Sequence, residues 1–254
     1  MTHRILILGG TTEARQLAGR LAGRDDLAVT LSLAGRTQEP AAQPVPVRRG
    51  GFGGADGLAA WLREEHISVL IDATHPYAAR MSANAAQAAQ VTGVPVLRLD
   101  RAAWQPGPGD SWTMVAGAEH AVAALGRQPR RVFLALGRQE ISAFEAAPQH
   151  FYLIRSVDPV EPPLAVPDAI YVLGRGPFSE EDEEELLATH RIDAIVCKNS
   201  GGKATYGKLI AARRLAIPVF MFRRPEERAV PKAESVEAAL AMLDHLLASA
   251  KRGE

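Results

Sequence analysis

Residues 4–21, RILILGGTTEARQLAGRL, decide the fold. Ile5 to Leu8 are continuously apolar, which marks a strand buried on both faces of a parallel sheet. The run breaks at Gly9-Gly10 and passes straight into a helical pattern. Glu13, Leu17 and Leu21 stand at helical spacing, and Thr11 or Thr12 is placed to cap the helix. Such a turn aims backbone N–H groups and a helix N-terminus at one point, where a phosphate binds. Aligned on Gly9, the dinucleotide fingerprint G-x-G-x-x-G/A reads Gly9, Thr11 and Ala14. The middle glycine is replaced, while Ala14 stays small enough for helix and strand to pack closely. Turns of this kind also occur in βα units that hold no ligand.

The next strand is Ala28–Ala34, ending at Gly35-Arg36-Thr37. In an NAD site an acid about 20 residues past the fingerprint bonds the ribose 2′-hydroxyl. Here that place holds Arg36, with no carboxylate before Glu39. An arginine beside hydroxyls suits a 2′-phosphate through charge-assisted, forked contacts, so NADP(H) is the expected cofactor. The expected contacts on this side are Gly9, Gly10, Thr11, Thr12, Glu13, Gly35, Arg36 and Thr37.

The chain has 254 residues, 47% of them hydrophobic, enough for one large or two small α/β domains. Its formal net charge of zero gives no general reason to expect nucleic acid or a membrane surface. Cys197 is the sole cysteine, so an internal disulfide or a thiolate cluster is excluded. The seven histidines lack metal-ligand spacing, and no metal is expected. No apolar run approaches membrane-spanning length and no secretory leader is evident, so a cytoplasmic location is expected.

Strands and helices alternate throughout, which predicts two doubly wound parallel sheets, Rossmann-like, with a ligand cleft between them. Extended segments are expected at 45–47, Val69–Ala73, Pro95–Leu99, Arg131–Leu136, Tyr152–Ser156, Ala169–Leu173, Ala194–Cys197 and Val219–Phe222. Helices are expected at 56–66, 77–91, 139–146, 179–190, 205–215 and 235–250. Trp104–Gly109, WQPGPG, reads as the linker. The predicted domains are therefore 1–104, binding NADP(H), and 111–254, binding substrate. Ser179 and Asp182 suit a capping box, and the acidic run Glu180–Glu185 reads as a solvated face matched to the helix dipole.

Four loops at strand ends carry the chemistry. The first is the opening turn. The second is Asp72-Ala73-Thr74-His75-Pro76-Tyr77, with Pro76 fitting the first turn of the helix. It adds Asp72, Ala73 and Thr74 to the cofactor contacts, although Asp72 and Thr74 could equally serve as helix caps. His75 and Tyr77 become candidates beside the nicotinamide. The third is Leu136-Gly137-Arg138-Gln139, where a helix start and a guanidinium favour a carboxylate or phosphate. The fourth is Cys197-Lys198-Asn199-Ser200-Gly201-Gly202-Lys203, an anion cradle that lacks the Walker A pattern. Arg155, Arg175, Lys198, Arg223 and Arg224 close successive strands, whereas Arg213 and Arg214 read as ordinary helix-surface residues. Cations at successive strand ends imply a polyanionic ligand.

Together GGTTEAR, GGFGG at 50–54, DATHPYA, GRGPFSEEDE and KNSGG with the terminal RRP resemble the precorrin-6A reductase family of cobalamin biosynthesis. The resemblance runs in order from Ile5 to Pro225. It implies two Rossmann-like domains, a nicotinamide cofactor and a tetrapyrrole bearing acetate and propionate groups. It also implies reduction of one ring double bond, from precorrin-6A to precorrin-6B, with cobalt-precorrin-6A as the anaerobic counterpart. On this reading the carboxylates meet Arg138, Arg155, Lys198, Asn199, Ser200, Gly201, Gly202, Lys203, Arg223 and Arg224. Proton donation falls to His75, Tyr77, Lys198, Ser200 or solvent, and hand-over of product to neighbouring pathway enzymes is a further expectation. A non-catalytic NADP(H)-sensing module and a tetrapyrrole methyltransferase are the rivals. The first would bind cofactor without turnover, and the second has no use for Arg36.

Overall fold

The computed structural model describes residues 2–35, 42–226 and 229–252. In chain order the first elements are β1 (His3–Leu8), α1 (Thr12–Leu21), β2 (Leu27–Leu33), β3 (Val47–Arg49), α2 (Ala55–Glu64), β4 (Val69–Asp72), α3 (Ala79–Thr92) and β5 (Val96–Leu99). There follow β6 (Trp112–Val115), α4 (Ala118–Leu125), β7 (Arg131–Ala135), α5 (Arg138–Ile141), β8 (Phe151–Ser156), β9 (Ala169–Leu173), α6 (Glu180–Thr189), β10 (Ala194–Lys198), α7 (Gly207–Arg214) and β11 (Val219–Phe222). The chain ends with β12 (Lys232–Ala233) and α8 (Val236–Arg252). Among the described residues no helix is long and apolar enough to cross a membrane.

The chain forms two compact units, Met1–Ala102 with Pro225–Glu254, and Ala103–Arg224. Each holds a six-stranded, all-parallel sheet. The first runs β3-β2-β1-β4-β5-β12, the 3-2-1-4-5-6 order of a dinucleotide-binding fold. The second runs β9-β8-β7-β10-β11-β6, the same order except that its sixth strand precedes the other five in sequence.

In the first unit the pleat of β1 sends Ile5 and Ile7 to one face and Leu6 and Leu8 to the other. The Ile5 face packs under Leu17 of α1 and Leu243 of α8. The Leu6 face packs under Leu58 and Leu62 of α2 and Ala85 and Ala88 of α3. Each such fully buried aliphatic side chain contributes about 1.5–3 kcal/mol. In the second unit Phe133, Leu153, Ile195 and Met221 meet Leu187 of α6 and Leu209 of α7.

Several expectations are corrected. The second domain does not extend to the C-terminus. Lys232 and Ala233 pair with Arg98 and Leu99, and α8 lays Val236, Ala239, Leu243 and Leu247 into the first core. Nor is Trp104–Gly109 a free linker. Trp104 is buried in the second core, and Asp110 holds Gly107 N–H (2.7 Å) while pairing with both Nε and Nη2 of Arg213 (2.9 and 2.8 Å). Pro76 sits in a turn ahead of α3, closed by Ala78 N–H on His75 O (2.7 Å). The expected helix 139–146 is one α turn continued by a 3₁₀ turn at Ser142–Ala146.

Candidate functional site

In doubly wound sheets ligands gather where the strand order reverses, at the carboxyl ends of the strands. The first sheet reverses between β1 and β4, so the Gly9–Glu13 turn and the Asp72–Tyr77 loop become neighbours. Thr11 joins them: its hydroxyl accepts from Ala14 N–H (3.1 Å), capping α1, and donates to Ala73 O (2.9 Å). The non-glycine residue in the fingerprint is thus the stitch between the two loops. Gly10 has φ +115°, a conformation that favours glycine, with open space where a side chain would stand. Gly9 lies flush on the core, since a Cβ there would meet Leu31 Cδ1 at 2.6 Å. A turn with one glycine against the sheet, one facing open space and a capped helix behind it fits a pyrophosphate.

Other predicted cofactor residues serve the turn from beneath. Asp72, 2% exposed, accepts from Thr74 N–H (3.1 Å) and Thr74 Oγ1 (2.7 Å) on one oxygen and from Arg98 Nη1 (2.5 Å) on the other. Arg98, 1% exposed, also bonds Ser82 Oγ. Asp72 therefore shapes the loop through its side chain. The carboxylate of Glu13 pairs with Arg101, leaving the backbone of Glu13 as the group at the helix mouth. His75 and Tyr77 are half-buried, with ring centroids 5.7 Å apart and Tyr77 N–H 3.3 Å from His75 Nδ1. Gly35 ends the described part of the second loop, and Arg36 and Thr37 lie outside the described residues.

The second sheet reverses between β7 and β10, bringing the Gly137–Arg138 turn beside Lys198–Gly202. Lys198 Nζ meets Glu140 Oε1 at 2.5 Å, and the other carboxylate oxygen of Glu140 is buried without a hydrogen-bond partner. The loop then turns sharply through Ser200 N–H on Lys198 O (2.9 Å) and Gly201 at φ +76°. Asn199 is buried and its amide brackets the backbone of Trp104, accepting from N–H (2.8 Å) and donating to C=O (2.9 Å). Its own carbonyl accepts from Arg224 Nε (2.9 Å). Gly202 is buried, whereas Arg138, Lys203 and Arg223 are exposed. Behind the loop lies Lys208, 3% exposed, which donates to Thr205 O and sits 4.9 Å from the Trp104 ring centroid. Burial pushes its pKa down, and burial pushes the Cys197 thiol up.

Arg155 is the clear correction among the predicted substrate residues. It is 8% exposed, pairs through both Nη atoms with Glu183 and lies 3.7 Å over the Phe178 ring. Its β8 position carries the side chain under α6, away from the strand-end surface. The acidic run is corrected with it, because Glu183 is buried while Glu180 and Glu184 pair with Arg214 (2.7 and 3.1 Å). Asn199 likewise spends its side chain on Trp104, so only the backbone of that residue lines the loop. The four catalytic candidates divide between the units: His75 and Tyr77 belong to the first, Lys198 and Ser200 to the second.

Sequence reasoning missed Arg98, Glu140 and Arg48. Arg98 was hidden inside an apolar strand, a place where an arginine is itself a sign of a buried acid. Glu140, on the helix opening after LGRQ, gave no signal without its distant partner Lys198.

Two Rossmann-like sheets, one with a glycine-built and one with a cation-built reversal point, place the chain in the class of α/β proteins with paired Rossmann-like units. Comparison with known proteins narrows the class. The profile described as "Precorrin-6x reductase CbiJ/CobK" matches residues 4–244. A Sinorhizobium protein named precorrin-6A reductase is 58% identical over 247 residues, covering 97% of this chain and 95% of its own. The Rhodobacter capsulatus protein of that name is 50% identical, covering 95% and 96%. A solved structure titled "CobK precorrin-6A reductase" superposes with a TM-score of 0.93 at 49% identity, covering 97% of each chain. The chain belongs to the precorrin-6x reductase family.

Proposed function

We propose that this protein reduces one double bond of precorrin-6A to precorrin-6B in cobalamin biosynthesis, using NADPH. The observation that carries the reading is the match along nearly the whole chain to proteins named precorrin-6A reductase, at 58% and 50% identity for the two relatives above. The strand order and glycine turn of the first unit support the cofactor assignment. Gly9, Gly10, Thr11, Thr12 and the backbone of Glu13 would hold the pyrophosphate, Gly35, Arg36 and Thr37 the phosphorylated ribose, and Ala73 and Thr74 the nicotinamide side. When bound, the cofactor supplies a hydride to a conjugated ring carbon.

The rest of the chemistry falls to the protein. Arg138, Lys203, Arg223 and Arg224, with the backbone of Ser200, Gly201 and Gly202, orient the carboxylates by charge-assisted hydrogen bonds. Lys198 donates the proton that the neighbouring ring carbon needs, and Glu140 fixes its ammonium group by the 2.5 Å contact. In the first unit His75 and Tyr77 are the candidates beside the nicotinamide. The test is an anaerobic reaction of purified protein with precorrin-6A and NADPH, followed through the macrocycle absorbance. A spectral change coupled to NADPH oxidation is expected. Binding of both ligands without change would overturn the reductase reading in favour of a sensing role.

A further inference from the structure

Two arginines at the first reversal point face carboxylates: Arg98 meets Asp72, and Arg101 meets Glu13. Arg48 does not. It is half-buried on β3 opposite Ser32 of β2, and among the described residues no acid lies within ion-pair distance. Its partners are neutral. Nη1 donates to Gly50 O (2.7 Å) and lies 3.5 Å from Ser32 Oγ, and Nη2 donates to Gly51 O (2.8 Å). The guanidinium carbon stands 3.7 Å over the Phe52 ring. Burial pulls its pKa below the ordinary arginine value.

Its location gives that charge a purpose. Gly50 N–H bonds Leu33 O (2.9 Å), so the glycine loop is drawn onto the carboxyl end of β2, where Gly35 turns the chain at φ +72°. In sheets of this order the ribose of the adenosine half lies at the end of the second strand. Two carbonyls and an aromatic face stabilise a guanidinium in part, and they hold its plane fixed. An arriving anion would meet a cationic donor already oriented.

We propose that Arg48, with the Ser32 hydroxyl, forms an anion subsite for the 2′-phosphate of the cofactor's adenosine ribose. The inference rests on the NADPH reading above, and the experiment separates the two.

The measurement is calorimetric binding of 2′,5′-ADP and 5′-AMP to the full chain, as wild type, Arg48→Met and Arg48→Lys. Wild type is expected to favour 2′,5′-ADP. Arg48→Met is expected to shrink that preference about tenfold, the scale of one charge-assisted contact, with 5′-AMP affinity moving less. Arg48→Lys keeps a point charge without the fork and falls between. A wild type with no preference defeats the phosphorylated-cofactor reading itself. A wild-type preference that survives in Arg48→Met, or equal loss of both nucleotides, overturns the Arg48 subsite alone and leaves a loop brace. Should the methionine variant not fold, the lysine variant decides: a loss of about threefold or more in the ratio supports the subsite, and an unchanged ratio removes it.

Discussion

The reversal points of the two sheets share a strand order and differ in material. At β1 and β4 the turn is glycine and threonine, and the nearby arginines Arg98 and Arg101 are neutralised by Asp72 and Glu13. Their charge goes into the frame. At β7 and β10 the cations stand in the loops themselves: Lys198 beside Glu140, Arg224 against Asn199 O, Arg138 and Lys203 exposed. One scaffold thus presents a backbone cradle in one unit and charged side chains in the other. Such a scaffold does not choose its ligand; the loops do.

Breaking the frame of the first point should have the largest effect. Asp72→Ala strands the buried Arg98 guanidinium and is expected to cost about 3–5 kcal/mol, read from the urea unfolding midpoint. Glu183→Ala repeats the lesion in the second unit, where Arg155 loses its partner, and a similar loss is expected. Next comes the chemistry of the second point. Lys198→Met is expected to lower turnover about a hundredfold while NADPH binding changes little. Equal loss of both would make Lys198 a cofactor ligand and blur the contrast between the units. Glu140→Gln should give a smaller drop of the same kind.

A smaller effect belongs to the glycine loop of the first unit. A Cβ at Gly57 would stand 1.7 Å from Phe52 O, so Gly57→Ala must push the loop off α2. A loss of about 1–3 kcal/mol in thermal stability is expected, with NADPH affinity falling more than tetrapyrrole affinity. The smallest is a pH effect confined to the second unit. His150 is 1% exposed, accepts from Arg130 N–H (3.1 Å), and burial lowers its pKa. The unfolded chain therefore holds a proton that the folded one releases. Its contribution is complete above the unfolded value of about 6.5 and is lost as pH falls towards the folded pKa. His150→Gln should flatten that slope in melts taken across the acid range.

The alternation of parallel strands was legible because strands buried on both faces read as apolar runs, as in Ile5–Leu8 and Ala194–Cys197. What escaped was short or edge-lying. β6 is WTMV with two exposed residues, and β12 is a pair of residues whose only structural signal is its partner β5. The return of the C-terminus to the first sheet followed from that pairing and could not be read locally. Site residues divided in the same way. Backbone-built features were visible as glycines, whereas the fate of a charge was not. Arg155 and Arg224 both end strands in sequence, yet one is sealed under α6 and the other reaches the 198–202 loop. Only a partner distant in sequence separates them.

The division of labour between the two reversal points is tested most directly by hydrogen–deuterium exchange of the full chain with each ligand in turn. NADP⁺ is expected to protect residues 9–13 and 73–77 and to leave 198–203 unchanged, while the tetrapyrrole alone protects 137–140 and 198–203. Protection of 198–203 by NADP⁺, with none at 9–13, would contradict the account.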